Sequence, residues 1–196
     1  MSESDNRLSG SEGRDLTEHK LDGKTVFDGR LLKVQKDTVR LPDGNTATRE
    51  HIIHPGAVMI LPVLASGHLV MERQFRYPLG RDVIEFPAGK IDAGESPLES
   101  AKRELLEETG HAAARWEFMA SIHVAIAYSN ERIDLFMARE LTRHAAKLDD
   151  EEFLEILEVP PSRAFEWLRA GVITDAKTVV ALLMLERMMA AGQGLR

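Results

Sequence analysis

The stretch Gly89–His111, GKIDAGESPLESAKRELLEETGH, constrains this chain more than any other. It reads as a loop that turns into a helix with three glutamates on one side. Gly89 and Gly94 supply turns where a side chain would obstruct the loop. Ser96 suits an N-cap, Pro97 the first helical position, and Glu99 completes a capping box. The spacing predicts a helix to about Thr109, closed by Gly110 as the C′ residue. Leu98, Ala101 and Leu105 make the apolar stripe that such a helix buries. Glu104, Glu107 and Glu108 follow at i, i+3 and i+4 and share a neighbouring face. Carboxylates so placed repel one another unless a cation lies among them. Mg²⁺ is the hard, oxygen-preferring ion that tolerates such a site and also bridges phosphates. Taken alone, E-x-x-E-E is more often a solvated acidic helix face.

The residues around the glutamates favour the metal reading. Gly89, Glu95, Arg103, Glu104, Glu107, Glu108 and Gly110 fit the pattern G-x5-E-x7-R-E-U-x-E-E-x-G-U, where U is apolar. The pattern resembles the Nudix box, the signature of hydrolases that cleave nucleoside diphosphates linked to another group. The last apolar position holds His111 instead, a departure that bears on local packing more than on chemistry. The pieces LPDGNTATRE, HPGAV, ERQFRYPLG, VIEFPAGKIDAGE and ITDAKT extend the likeness from about Phe27 to about Glu186. They resemble the ADP-ribose pyrophosphatase branch of the family.

The resemblance implies an α/β fold: an α/β/α sandwich with a mixed sheet, preceded by an N-terminal antiparallel β meander that packs across a homodimer. It implies metal held by Glu104, Glu107, Glu108 and the Ala88 carbonyl, with Mg²⁺ expected and Mn²⁺ as the alternative. A carboxylate off the helix would take the proton of the attacking water. Glu152, in the acidic run before Phe153, is preferred, with Glu151 and Glu131 as rivals; a solvated acidic loop is the alternative for that run. By resemblance Arg76 faces the diphosphate, and Glu85 and Glu50 the ribose or base. Glu95 and Arg103 are expected to order the box, Arg103 through Glu99 and Glu107 at four-residue spacing. Relatives selective for ADP-ribose place aromatic side chains on the adenine, whereas Leu31 and Arg49 stand there here. They also carry S-P-G after the box, whereas this chain has Ala125-Ile126-Ala127-Tyr128. Base and sugar specificity therefore stay open.

The expected reaction is hydrolysis of a nucleoside diphosphate sugar, ADP-ribose to AMP and ribose 5-phosphate, with GDP-mannose as an alternative substrate. A non-catalytic ligand-sensing Nudix domain is the rival from another class, disfavoured because every box glutamate is present. Composition agrees. A chain of 196 residues with 43% hydrophobic content is long enough for one well-cored domain. The absence of cysteine excludes disulfides, thiolate metal sites and a cysteine nucleophile, and suits a reducing cytoplasm. A net charge of −7 argues against general nucleic-acid binding. The longest apolar run, Ala57–Ala65, is too short to span a bilayer, and no signal-peptide core is expected.

Along the chain, residues 1–20 are polar and expected as a disordered tail. Residues 21–55 are expected as the meander, with strands at Thr25–Phe27, Leu31–Leu41 and Ala47–His54. Residues 56–196 are expected as the hydrolase domain. Its strands are read at Gly56–Leu64, Leu69–Phe75, Val83–Phe86, Trp116–Ala127, Ile133–Arg139 and Phe153–Val159. Two helices close the chain, one capped by Ser162 and one opened by Thr174 or Asp175.

Overall fold

Residues 14–144 and 153–192 are described in a computed structural model, and they form two units that divide between Ile53 and His54. The first unit is an antiparallel sheet of β1 (His19–Asp28), β2 (Lys33–Arg40) and β3 (Thr46–Ile53), in that spatial order. The Leu41–Asn45 turn joins β2 to β3. Gly44, at φ +88°, takes a left-handed conformation there that other residues rarely adopt. β1 starts at His19, six residues before the expected Thr25. Its HKLDGKT lacks strand alternation; register with Arg40–Gln35 of β2 makes it a strand, with irregularities near Lys20 and Thr25. Residues 14–18 have no regular structure, and residues 1–13 of the expected tail lie outside the described residues.

The second unit is organised on β4 (Ala57–Pro62), every residue of which is buried. Its odd-numbered side chains, Met59 and Leu61, enter the larger core, and its even ones, Val58 and Ile60, enter a second core. A strand apolar on both faces must be covered on both. It pairs in parallel with β9 (Arg132–Arg143) and antiparallel with the short β7 (Ala88–Lys90). β8 (His111–His123) completes the mixed sheet in the order β7-β4-β9-β8. A second, antiparallel sheet has β5 (Leu69–Arg76) between β10 (Leu154–Val159) and β6 (Arg81–Glu85). Leu69 and Met71 of β5 and Val159 of β10 join the larger core with α2 (Pro161–Arg169) and α3 (Ala176–Ala190). Helix α1 (Pro97–Thr109) covers the other face of β4 through Ala101 and Leu105. This is the α/β/α sandwich with a mixed sheet that the sequence implied.

Helix α1 has the predicted bounds and caps. The Glu99 N–H donates to Ser96 Oγ (3.3 Å) and the Ser96 N–H donates to Glu99 Oε2 (2.9 Å). Gly110 at φ +67° closes it, its N–H donating to the Leu106 carbonyl (3.0 Å). The other helix starts need one correction. Ser162 lies inside α2, whose N-cap is Pro160, because Pro161 opens the helix at its first position and the Arg163 N–H donates to the Pro160 carbonyl (2.9 Å). Asp175 caps α3 as expected, accepting the Thr178 N–H at 3.0 Å. Strand β7 went unread because three residues show no alternation. Strand β8 starts five residues before the expected Trp116, since Ala112–Arg115 shows no strand pattern until it pairs with Arg139–Thr142 of β9.

His111, the residue that breaks the box pattern, is buried at 4% exposure and fills its site as the apolar residue would. Its Nδ1 lies 3.1 Å from Thr109 Oγ1. Burial pushes its imidazole below the ordinary histidine range, Arg143 adds to the effect, and Glu158 opposes it. A histidine depressed in this way takes up a proton on unfolding. Its contribution is therefore full above its unfolded value of 6.5 and is lost as pH falls through the lower folded value. His111→Leu should keep the packing and shed this acid sensitivity. Thermal unfolding at about pH 7.5 and about pH 5.5 checks it, and the melting temperature should fall less in the variant. An equal fall in both proteins would refute the effect.

Candidate active site

The polar face of α1 is ordered by one guanidinium. Arg103 Nε and Nη2 donate to Glu95 (3.0 Å each), and Nη1 donates to both Glu104 Oε1 (2.8 Å) and Glu107 Oε2 (3.1 Å). Nη2 also reaches the Lys90 carbonyl at 3.2 Å, tying the helix to the end of β7. Glu99 is not a partner, because the capping box already engages its carboxylate. Arg103 and Ser100, whose hydroxyl donates at 2.6 Å, hold the Glu95 carboxyl down at about 2. Glu95 first, with Glu104 and Glu107, raises Arg103 against the opposing effect of burial.

Behind this network the helix meets the backbone of β7. The Ala88 N–H donates to Glu108 Oε2 (3.1 Å), and Glu108 is buried. At Gly89 a Cβ would overlap the Glu104 carboxylate, so only glycine lets that acid lie against the strand. Glu104 and Glu108 thus lie against the Ala88–Gly89 backbone, and Glu107 is joined to Glu104 through Arg103. Such hard oxygens fit Mg²⁺ or Mn²⁺. In the present side-chain arrangement no three His, Cys, Asp or Glu residues among those described converge on a single metal position. Arg103 instead spans Glu104 and Glu107.

In front of Ala88 and Gly89 lies a cavity of about 300 Å³, walled also by His54, Val58, Arg76, Glu131, Asp175 and Lys177. That is the lower end of the size range for small-molecule sites. Arg76 and Lys177 bring positive charge, and the buried Glu85 stands between them. Arg76 Nε donates to Glu85 Oε1 (2.6 Å) and Lys177 Nζ to Glu85 Oε2 (2.5 Å). Lys177 also pairs with Asp175 at 3.1 Å. Burial is the largest single influence on Lys177 and pulls it down, but Glu85 and Asp175 together outweigh it and hold the ammonium above its ordinary value. Burial likewise opposes Arg76, and Glu85, Glu72 and Glu108 together raise it. A second cavity of about 280 Å³ adjoins the same Arg76, Glu85 and Lys177, with Pro78 and Thr174 on its walls.

The structure therefore brings Ala88, Gly89, Arg76 and Glu131 to the first cavity and Glu85 to the second, with Glu104 and Glu108 behind the wall. Gly110 and Glu95 serve the helix and its loop. Glu50 and Arg49 lie on β3 of the first unit, where Glu50 pairs with Lys36 (3.1 Å) and Arg49 with Glu18. Glu151 and Glu152 lie outside the described residues. Sequence reasoning missed His54 and Lys177 as cavity residues. Both sat in quoted segments, HPGAV and ITDAKT, but neither spacing nor periodicity marks a residue that only the fold carries to the site.

A mixed sheet between helices, with a glutamate-bearing helix braced by Arg103 against a glycine backbone, defines a Nudix hydrolase, and the chain belongs to the NUDIX family. The NUDIX domain model matches residues 53–182, and the model of the nucleoside diphosphate sugar hydrolase N-terminal domain matches residues 18–52. The chain is 36% identical to the methanol dehydrogenase activator of Bacillus methanolicus, over 89% of this chain and 95% of that one. It is 35% identical to the ADP-ribose pyrophosphatase of Bacillus subtilis (strain 168), over 88% of this chain and 95% of that one. A crystal structure of an ADP compounds hydrolase superposes with a TM-score of 0.82 at 27% identity, covering 93% of this chain and all of that one.

The contact at Gly89 can be tested directly. Gly89→Ala should displace the Glu104 carboxylate and lower kcat by about 10²-fold, since a displacement of about 1 Å in a site can cost that order. Circular dichroism should show the fold intact. Wild-type kcat in a folded Gly89→Ala protein would show that the close approach is dispensable.

Proposed function

We propose that this chain hydrolyses the pyrophosphate bond of a nucleoside diphosphate sugar in a Mg²⁺-dependent reaction, with ADP-ribose as the substrate and AMP and ribose 5-phosphate as products. The observation that carries the reading is the cavity at Ala88–Gly89, with the α1 glutamates behind it and Arg76 and Lys177 on its walls. A diphosphate has the size and charge for that arrangement, and a guanidinium fork suits its oxygens. Glu104, Glu107, Glu108 and the Ala88 carbonyl would hold the metal, which supplies neutralisation of phosphate charge and a lowered pKa for bound water. Mn²⁺ would fit the same oxygen donors.

The chain's own groups do the rest. Arg76 and Lys177 bind the phosphate oxygens and hold the scissile bond in place. Glu85, which now balances both cations, keeps them extended toward the cavity. Glu131, on the cavity wall, accepts the proton of the attacking water; Glu152, which the sequence favoured for that role, lies outside the described residues. Water adds to one phosphorus, the bridging P–O bond breaks, and the leaving phosphate takes up the displaced charge. Glu108→Gln keeps an acceptor for the Ala88 N–H but removes the negative charge. It should lower kcat by orders of magnitude with the fold intact. A panel of nucleotide sugars assayed with Mg²⁺ and scored by the nucleotide released checks substrate and variant together. Near-wild-type kcat for the variant at saturating Mg²⁺ would falsify the metal role, and cleavage of GDP-mannose in preference to ADP-ribose would reassign the substrate.

The same reading includes a homodimer working in the cytoplasm. Strand β1 is exposed along its whole length, and Val26, Phe27, Leu31 and Ile53 of the first unit are exposed apolar residues. A surface of that kind asks for a cover, and a second copy with an isologous interface supplies one. Among the described residues no helix is long and apolar enough to cross a membrane. Light scattering at micromolar concentration should give twice the 21.9 kDa chain mass. A fully active monomer would contradict the assembly.

A further inference from the structure

His54 lines the first cavity, three residues before β4, and has no part in the mechanism above. Its ring is oriented from both sides. The Gly56 N–H donates to Nδ1 at 3.1 Å. A backbone amide can only donate, so Nδ1 carries the lone pair and the neutral ring carries its proton on Nε2. Nε2 faces Glu131 Oε1 at 3.7 Å, a gap that a shift of under about 1 Å in either side chain closes to a hydrogen bond. The imidazole is mostly buried, at 13% side-chain exposure, while the carboxylate is 27% exposed and open to the cavity.

The segment that carries Glu131 is fastened to the same residue. Asn130 Oδ1 accepts the His54 N–H (2.7 Å), and Asn130 Nδ2 donates to the His54 carbonyl (3.4 Å). The Glu131 N–H donates to Ser129 Oγ at 3.1 Å. The backbone that leads into Glu131 is thus tied to His54 through Asn130, which leaves the direction of the carboxylate to be set by its own contacts. We propose that His54 is a positioning residue for Glu131, its Nε2–H holding that carboxylate over the Ala88–Gly89 wall. The inference rests on the reading of Glu131 as the proton acceptor.

A merely structural histidine would be needed only for Nδ1, the acceptor of the Gly56 amide. The two roles separate by substitution, because asparagine reproduces the Nδ1 acceptor and glutamine reproduces the Nε2 donor. The full-length protein is compared as wild type, His54→Asn, His54→Gln, Glu131→Gln and the His54→Asn/Glu131→Gln double variant. The readouts are kcat and KM for ADP-ribose with Mg²⁺, melting temperature, and the ¹⁵N shifts of the His54 ring in metal-free protein. Glu131→Gln should lower kcat by about 10²- to 10⁴-fold. His54→Asn should lower kcat by about 10- to 100-fold, with KM changed by less than about 2-fold and the melting temperature kept. His54→Gln should recover most of that loss. The double variant should be no slower than Glu131→Gln alone, since the two residues act as one unit. The ring spectra should show the proton on Nε2, with shifts that change on Glu131→Gln.

Wild-type kcat in His54→Asn, or a double variant slowed by the product of the two single effects, overturns the proposal. So does a Glu131→Gln protein of full activity. If His54→Asn does not fold, the spectra of wild type and Glu131→Gln decide: a proton on Nδ1, or a ring blind to the loss of Glu131, overturns it. A wild-type protein that cleaves nothing in the nucleotide-sugar panel overturns the proposed function instead, and the metal-free spectra still decide the contact between the two side chains.

Discussion

The structure of the site depends on how three like charges are kept together on one helix. Glu104, Glu107 and Glu108 would splay apart if nothing positive stood near them. Arg103 supplies that charge from the same helix, and its planar fork reaches Glu95, Glu104 and Glu107 at once. A lysine in its place would offer a point charge without the fixed geometry. Because Glu95 lies in the loop before the helix and Lys90 at the end of β7, the same guanidinium joins strand, loop and helix into one piece. The charged groups are thereby ordered without a hydrophobic contact of their own.

That piece is placed by β4. One face of the strand packs on α1 and the other on the larger core, so neither register nor tilt is free. Val58 pairs with Gly89 and Met59 with Ala88, which sets the glycine wall at a fixed height beside the sheet. The residues that lead into the same strand carry His54 to the cavity. Pairing with β9 brings Ile133 beside Ala57, and with it the loop that ends in Glu131. One strand therefore positions three walls of the site. Buried apolar side chains determine where the polar ones meet.

The cations of the cavity are held by a different means. Arg76 and Lys177 come from β5 and α3, far apart in sequence, and both end on the carboxylate of Glu85. Glu85 is nearly inaccessible, and a buried carboxylate is tolerated only when paired. The pairing also keeps two long, flexible side chains extended. Asp175 contributes twice, capping α3 through the Thr178 amide and flanking the Lys177 ammonium.

What the sequence determined by itself was the local chemistry of α1: its N-cap, capping box, C-terminal glycine, apolar stripe and run of glutamates. Each of those signals lies within one or two helical turns, where spacing along the chain is spacing in space. The same holds for β4, whose short, unbroken apolar run reads as a strand covered on both sides. The partners of the acids were beyond its reach. Arg103 at four-residue spacing could have served Glu99, but the capping box engages that carboxylate, and only the folded loop shows Glu95 in its place. β7 and the first half of β8 have no strand pattern of their own and exist because β4 and β9 offer open edges. The meeting of His54, Glu131, Arg76 and Lys177 around Ala88 and Gly89 was decided by tertiary structure alone, since strand pairing and helix packing join residues that no periodicity along the chain relates.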